Sequence, residues 1–235
     1  MAREAIILAG GLGTRLQSVL PDIPKCMAPI GDNPFLSYSI ALLQKMGIER
    51  FIFSLGYRYE MIQEFVTSHY PQLPVAYAIE KQALGTGGAI RKACSLASGK
   101  TVLVVNGDTY FDIGLPAMEA FHHLCGSQCT LALKPMRNFD RYGVVELGED
   151  YSIKGFKEKH FYESGLINGG VYLLHAARFL EENLPDKFSF EKDYLEKFYP
   201  VRPFYGVVQD AYFIDIGIPE DFALAQVELP KQIKI

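Results

Sequence analysis

The sequence predicts an α/β fold with a mixed central sheet flanked by helices. Three observations carry that prediction. Apolar strand-type runs alternate with amphipathic helical stretches through residues 1–125. A glycine-rich turn directly follows the first of those runs. From residue 126 the texture shifts to short strands joined by turns. At 235 residues, 49% of them hydrophobic, the chain suits one domain with a substantial core. A net charge of −4 with no readable basic face argues against non-specific nucleic-acid binding. No run of 18 apolar residues suggests a membrane span. The chain enters a strand almost at once, which leaves no room for a signal peptide, so a cytoplasmic location is expected. The four cysteines (Cys26, Cys94, Cys125, Cys129) are scattered and are expected to be reduced thiols. His122, His123, Cys125 and Cys129 raise the question of zinc, but their spacing matches no standard site.

Taken in order, Ala5-Ile6-Ile7-Leu8 is apolar enough for a strand buried on both faces. Leu20 to Lys25 is punctuated by Pro21 and Pro24 and cannot form a long helix. Between Pro34 and Met46, Leu36, Ile40, Leu43 and Met46 recur at helical spacing, with Gly47 placed to close the helix. Arg50 to Leu55 is a second strand. Met61-Ile62 and Phe65-Val66 mark a second helix, ended by Pro71. Val75 to Ile79 is a third strand, Thr86 to Ala97 a third helix, and Thr101 to Val105 a fourth strand. Strands separated by helices imply parallel pairing. Ligands in such sheets bind beyond the carboxyl ends of the strands. Those ends carry the glycine turn, Gly56, Glu80 and Asn106-Gly107-Asp108. In residues 126–235, five stretches read as strands: Thr130 to Lys134, Gly143 to Leu147, Ser152 to Lys157, Ile167 to Leu174 and Phe204 to Val208. Ala176 to Asn183, Phe190 to Phe198 and Pro219 to Val227 read as helices, with fraying expected from Pro230 to Ile235. The halves 1–125 and 126–235 are expected to share one sheet, the first binding nucleotide and the second sugar.

The turn Gly10-Gly11-Leu12-Gly13-Thr14-Arg15 fits either a plain strand-to-helix turn or a phosphate cradle. Its glycines allow close backbone approach, successive N–H groups can form an anion nest, and Arg15 adds a forked cation. It is not a dinucleotide fingerprint, because Leu16 stands where the third glycine belongs and no acid ends the next strand. Nor is it a Walker A loop, which needs Gly-Lys-Ser/Thr. Lys25, in a rigid half-apolar turn, is a point charge suited to phosphate. Asp108 and Asp215 each end an apolar strand before or within a glycine turn. They fit turn chemistry, and they equally fit a pair of Mg²⁺ carboxylates. Asp215 as a cap for the helix from Pro219 is weakened by its distance from that proline. Phe156-Lys157-Glu158-Lys159 fits a charged strand edge, and Asn168-Gly169-Gly170 fits a bulge.

Five segments then occur in register: Leu8 to Leu16, Pro24-Lys25, Leu84-Gly85-Thr86-Gly87-Gly88-Ala89, Asn106-Gly107-Asp108 and Phe156 to Lys159. With Asn168 to Tyr172 and Asp215 to Asp221, they make nearly the whole chain resemble the sugar-1-phosphate nucleotidyltransferases (NDP-sugar pyrophosphorylases). Lys134-Pro135-Met136, Asp140 to Gly143, Ser164 to Gly170 and Phe188 to Asp193 resemble the short D-glycero-α-D-manno-heptose 1-phosphate guanylyltransferases within that family. The resemblance implies a Rossmann-like, GT-A-type fold. It also implies a reaction in which NTP and sugar 1-phosphate give NDP-sugar and pyrophosphate, feeding surface glycan assembly. Carried onto this sequence, Leu8, Gly10, Gly11, Gly13, Thr14, Arg15, Lys25, Glu80, Gly85, Thr86 and Asp108 would bind the nucleotide, with Arg15, Lys25 and Asp108 catalytic. Asp108 and Asp215 would hold Mg²⁺. Gly143, Glu158, Lys159 and Asn168 would bind the sugar phosphate.

Glu80 lies where the family reads the base. A carboxylate accepts from guanine N1–H and N2–H₂ together, whereas uracil, with one donor between two acceptors, suits an amide. The alternative for Glu80 is an exposed acid paired with Lys81. Cys26 replaces a proline common in relatives and is expected to loosen the turn at Lys25. Mannose 1-phosphate remains the alternative sugar, and a homo-oligomer remains open. A catalytically silent nucleotide-sugar-binding regulator is the alternative of another class.

Overall fold

In the computed structural model, which describes residues 2–11 and 22–235, alternate residues of each central strand serve opposite faces of one sheet. The first of these strands is β1 (Glu4–Ala9). A short hairpin of β2 (Pro29–Ile30) and β3 (Asn33–Pro34) leads into α1 (Phe35–Lys45). Next come β4 (Arg50–Leu55), α2 (Tyr59–His69), β5 (Val75–Ile79), α3 (Gly85–Cys94) and β6 (Thr101–Asn106). Then follow β7 (Thr109–Phe111), α4 (Leu115–Leu124), β8 (Cys129–Phe139), β9 (Val144–Leu147), β10 (Ile153–Lys157) and β11 (Tyr162–His175). After α5 (Ala176–Leu180), a π-helical stretch Phe190–Leu195 runs into α6 (Glu196–Phe198). The described chain closes with β12 (Phe204–Val208), β13 (Phe213–Asp215) and α7 (Pro219–Gln232).

β1 pairs in parallel with β4 on one side and β6 on the other, and β4 pairs with β5. The expected parallel sheet is therefore present, in the order β6-β1-β4-β5. β11 joins it antiparallel through Val171–His175 against β6, and β8, β9, β10 and β12 extend the same sheet beyond β11. Ala5, Ile7, Phe51, Phe53, Leu103 and Val105 face one side, where α1, α2 and α4 pack. Ile6, Ile52, Val102 and Val104 face the other, covered by α3, α5 and the π-helical stretch. Burying Phe51 and Phe53 completely contributes about 2–3 kcal/mol each. A third cluster joins α1, α7, the β2–β3 hairpin, Tyr110 and Ile214.

Several boundaries differ from the sequence reading. The third helix stops at Cys94, three residues short of Ala97. The helix from Ala176 has five residues, and Phe190 to Phe198 divides into π-helical and α-helical turns. The strand read as Ile167 to Leu174 begins at Tyr162, because its first residues pair with the extended β8. The final helix does not fray at Pro230. It includes that proline and runs to Gln232, since fully buried Leu229 anchors its last turns beside Ala225. Met46 ends α1 and Gly47 follows at φ 88°, the expected left-handed stop.

Candidate active site

The carboxyl ends of β1, β4, β5 and β6 frame a cavity of about 430 Å³. Leu8, Gly10, Gly11, Lys25, Glu80, Gly85, Thr86 and Asp108 all line it. These are all the described members of the expected nucleotide set. Gly13, Thr14 and Arg15 lie outside the described residues. Cys26, Ser54, Ala89, Asn106 and Glu191 complete much of the remaining wall. Glu191 was not among the expected site residues. Its only sequence signal is membership of Phe188 to Asp193, a stretch distant from every glycine motif.

Lys25 and Asp108 form an ion pair in the cavity wall. Lys25 Nζ donates to Asp108 Oδ2 at 2.9 Å, with both side chains largely buried. The turn that carries Lys25 is closed by Met27 N donating to Pro24 O and Ala28 N to Lys25 O, at 2.8 and 3.0 Å. Cys26 therefore does not loosen it, because the thiol is buried and both backbone bonds form. Burial, reinforced by the Asp108 charge, pushes the Cys26 thiol up to about 12, so it is an unreactive neutral group.

Asp108 and Asp215 come together through the β7–β13 ladder. Asp215 stands opposite Thr109, and Ile216 N donates to Asp108 O at 3.0 Å. Asp215 Oδ1 accepts from Gly217 N at 2.8 Å and Oδ2 from the Tyr142 hydroxyl at 3.2 Å. It does not cap α7, whose N-terminus has no side-chain cap. Burial, and then the negative charge of Asp108, hold the Asp215 carboxyl above the usual range. Lys25, Gly217 N–H and Tyr142 act in the opposite sense.

Glu80 turns into the cavity. Its Oε2 accepts from Leu84 N at 2.9 Å, and burial raises its pKa against the opposing pull of that N–H and of Lys92. The Thr86 hydroxyl is spent inside the protein. It donates to Glu191 Oε2 and accepts from Phe190 N, both at 2.8 Å.

The four residues expected at the sugar phosphate do not line this cavity. Gly143 immediately precedes β9, Glu158 and Lys159 immediately follow β10, and Asn168 lies within β11. The position a Cβ would take on Gly143 is 2.4 Å from Lys157 O, so only glycine lets this turn lie against the strand that leads to Glu158. Glu158 and Lys159 are exposed, and neither side chain has an ion pair or hydrogen bond among the described residues. Asn168 Nδ2 donates to the Tyr172 hydroxyl at 2.9 Å, while its Oδ1 accepts from Gly170 N at 3.0 Å. This is the bulge reading of Asn168-Gly169-Gly170, and the β8 register shifts there. A Cβ on Gly170 would sit 2.5 Å from Asn106 Nδ2, so the bulge abuts the cavity wall directly.

Residues 4–232 match the nucleotidyl transferase family. The chain belongs to that family. This nucleotidyl transferase is 49% identical to the D-glycero-α-D-manno-heptose 1-phosphate guanylyltransferase of Aneurinibacillus thermoaerophilus, over 98% of this chain and 100% of that protein. It is 46% identical to the Campylobacter jejuni protein of the same name, over 93% and 96% of the two chains. The crystal structure of HddC from Yersinia pseudotuberculosis superposes with a TM-score of 0.87 and 38% identity, covering 95% of this chain and 98% of that one. HddC has also been crystallised with GMP-PN. These enzymes make the silent regulator the poorer account of this nucleotidyl transferase. Among the described residues no helix is long and apolar enough to cross a membrane.

Proposed function

We propose that this chain transfers GMP from GTP to D-glycero-α-D-manno-heptose 1-phosphate, giving GDP-heptose and pyrophosphate. The observation that carries the nucleotide half of this reading is the cavity, which gathers every described member of the expected nucleotide set around Lys25 and Asp108. The heptose rests on the two near-full-length relatives of that name. A reduced compartment such as the cytoplasm suits the free cysteines.

The sugar 1-phosphate is ionised at neutral pH, so its oxygen attacks the α-phosphorus without a general base. The new P–O bond forms as the bond from the α-phosphorus to its β-bridging oxygen breaks, and pyrophosphate leaves with that electron pair. The barrier lies in bringing polyanions together and in charge on the leaving group. Lys25 and Arg15 oppose that charge on the triphosphate, and Lys159 draws in the sugar phosphate. Glu158 and Asn168 accept or donate to sugar hydroxyls, with the Gly143 backbone beside them.

Mg²⁺ suits the donor set, since two neighbouring carboxylates, one of them buried against the other's charge, are relieved by a divalent cation. Asp108 and Asp215 would hold it, and bound there it would supply charge neutralisation at the phosphates. Glu80 supports guanine, because it presents a desolvated carboxylate inside the cavity.

Pyrophosphate release with Mg²⁺, across four NTPs and a panel including mannose and manno-heptose 1-phosphates, tests the reading. GTP with heptose 1-phosphate should give the highest kcat/KM. A preference for another pair would overturn the specificity and leave the chemistry intact.

A further inference from the structure

The turn that begins α3 is held by a distant segment, residues 184–191. Phe188 N donates to Leu84 O, and Gly87 N donates to Phe188 O, each at 3.0 Å. The Thr86 hydroxyl bridges Glu191 and Phe190 N, and Ser189 Oγ donates to the same Glu191 oxygen at 3.1 Å. From further along α3, Arg91 donates to Leu184 O at 2.8 Å and to Asp186 Oδ1 at 3.0 Å, its guanidinium lying over the Phe188 ring. There is no slack at the start of the helix. Gly85 has φ 71°, and a Cβ on it would sit 2.5 Å from Phe188 O. Leu84 is shared by both ends of this arrangement, giving its N–H to Glu80 and its C=O to Phe188.

We propose that the Thr86–Glu191 pair is a positioning device for base selection: it fixes the 84–86 turn and, through Leu84, the aim of Glu80. The proposal rests on Glu80 reading guanine. A carboxylate meets two guanine donors only when both oxygens lie in the plane of the base, whereas a base with one donor tolerates a tilted carboxylate. The hydroxyl-to-carboxylate bond is charge-assisted and stronger than a neutral one, which suits a latch. Guanine preference then depends on residues contributed from late in the chain.

The test is kcat/KM for GTP and UTP, with Mg²⁺ and heptose 1-phosphate, in the full chain and in Thr86→Ser, Thr86→Val and Glu80→Gln. Thr86→Val keeps the branched Cβ and removes the hydroxyl; Thr86→Ala serves if it does not fold. Thr86→Val is expected to lower the GTP/UTP ratio about five- to tenfold, mainly through the KM for GTP, the scale of one lost polar contact acting at second hand. Thr86→Ser should restore the ratio to within about twofold, since its hydroxyl can make the same bonds. An equal loss for both nucleotides in Thr86→Val, alongside a lowered ratio in Glu80→Gln, overturns the proposal and leaves the base reading standing. An unchanged ratio in Glu80→Gln removes the base reading and the proposal together.

Discussion

The two sides of the molecule build their sites in different ways. At the ends of β1, β4, β5 and β6, parallel pairing brings scattered loops to one rim, where Lys25 pairs with Asp108 and Glu80 accepts from Leu84 N. Beside β9 and β11, the segment that follows β10 presents Glu158 and Lys159 to solvent, with no side-chain partner among the described residues. On the first side, Lys25 is held by Asp108, Glu80 by the Leu84 N–H and Thr86 by Glu191. The second has exposed charges, and any ligand they meet would have to order them at a cost in side-chain entropy. The held side chains lie where nucleotide is expected, and the free ones where sugar phosphate is expected.

Asp108→Asn should break the first side hardest. Turnover is expected to fall about 10³-fold, the scale of losing one preorganised charge at a phosphoryl centre, with the melting temperature little changed. Pyrophosphate release at the wild-type rate would exclude Asp108 from the metal role. Stability should respond next, at the seam where α4 runs into β8. Buried His122 gives or takes a hydrogen bond with Thr130 Oγ1 at 2.8 Å, and burial, with His123 and His175 nearby, pulls its pKa down to about 4. The unfolded chain takes up that proton near pH 6.5 and the folded one only near 4. Stability is therefore full above pH 6.5 and declines as pH falls toward 4, by up to about 3 kcal/mol. Urea unfolding of wild type and His122→Leu at pH 7 and pH 5 measures it; an equal pH loss in both proteins would move the cause elsewhere. The smallest effect is expected on the second side. Lys159→Ala should raise the KM for sugar 1-phosphate about tenfold with the KM for GTP unchanged. A matching rise for GTP would mean that the two sides are not separable.

Elements with strongly apolar or periodic sequences were legible. Val75–Ile79 and Phe204–Val208 form strands over the residues that the pattern marks, and Leu36, Ile40 and Leu43 face the core as their spacing requires. β7 was not legible, because three residues become a strand only when β13 arrives to pair with them. The π-helical turn at Phe190–Leu195 has an apolar pattern indistinguishable from an ordinary helix. In the site, the glycine motifs and Asp108 announced the cavity, but the engagement of Thr86 with Glu191 joins residues far apart in sequence and leaves no local trace. Asn168 shows the reverse case, a motif whose side chain the fold already uses to shape a bulge.

The ladder joining Asp108 to Asp215 also sets when the centre comes into being. Synthesis delivers the parallel strands first, and they can begin to pair while everything from α4 to β13 is still to be made. A chain interrupted between Glu191 and Asp215 would have the cavity lining and only one of the two carboxylates. A chain clipped before Asp215 is therefore expected to lack one of the two carboxylates proposed for Mg²⁺, whereas one clipped within α7 keeps both.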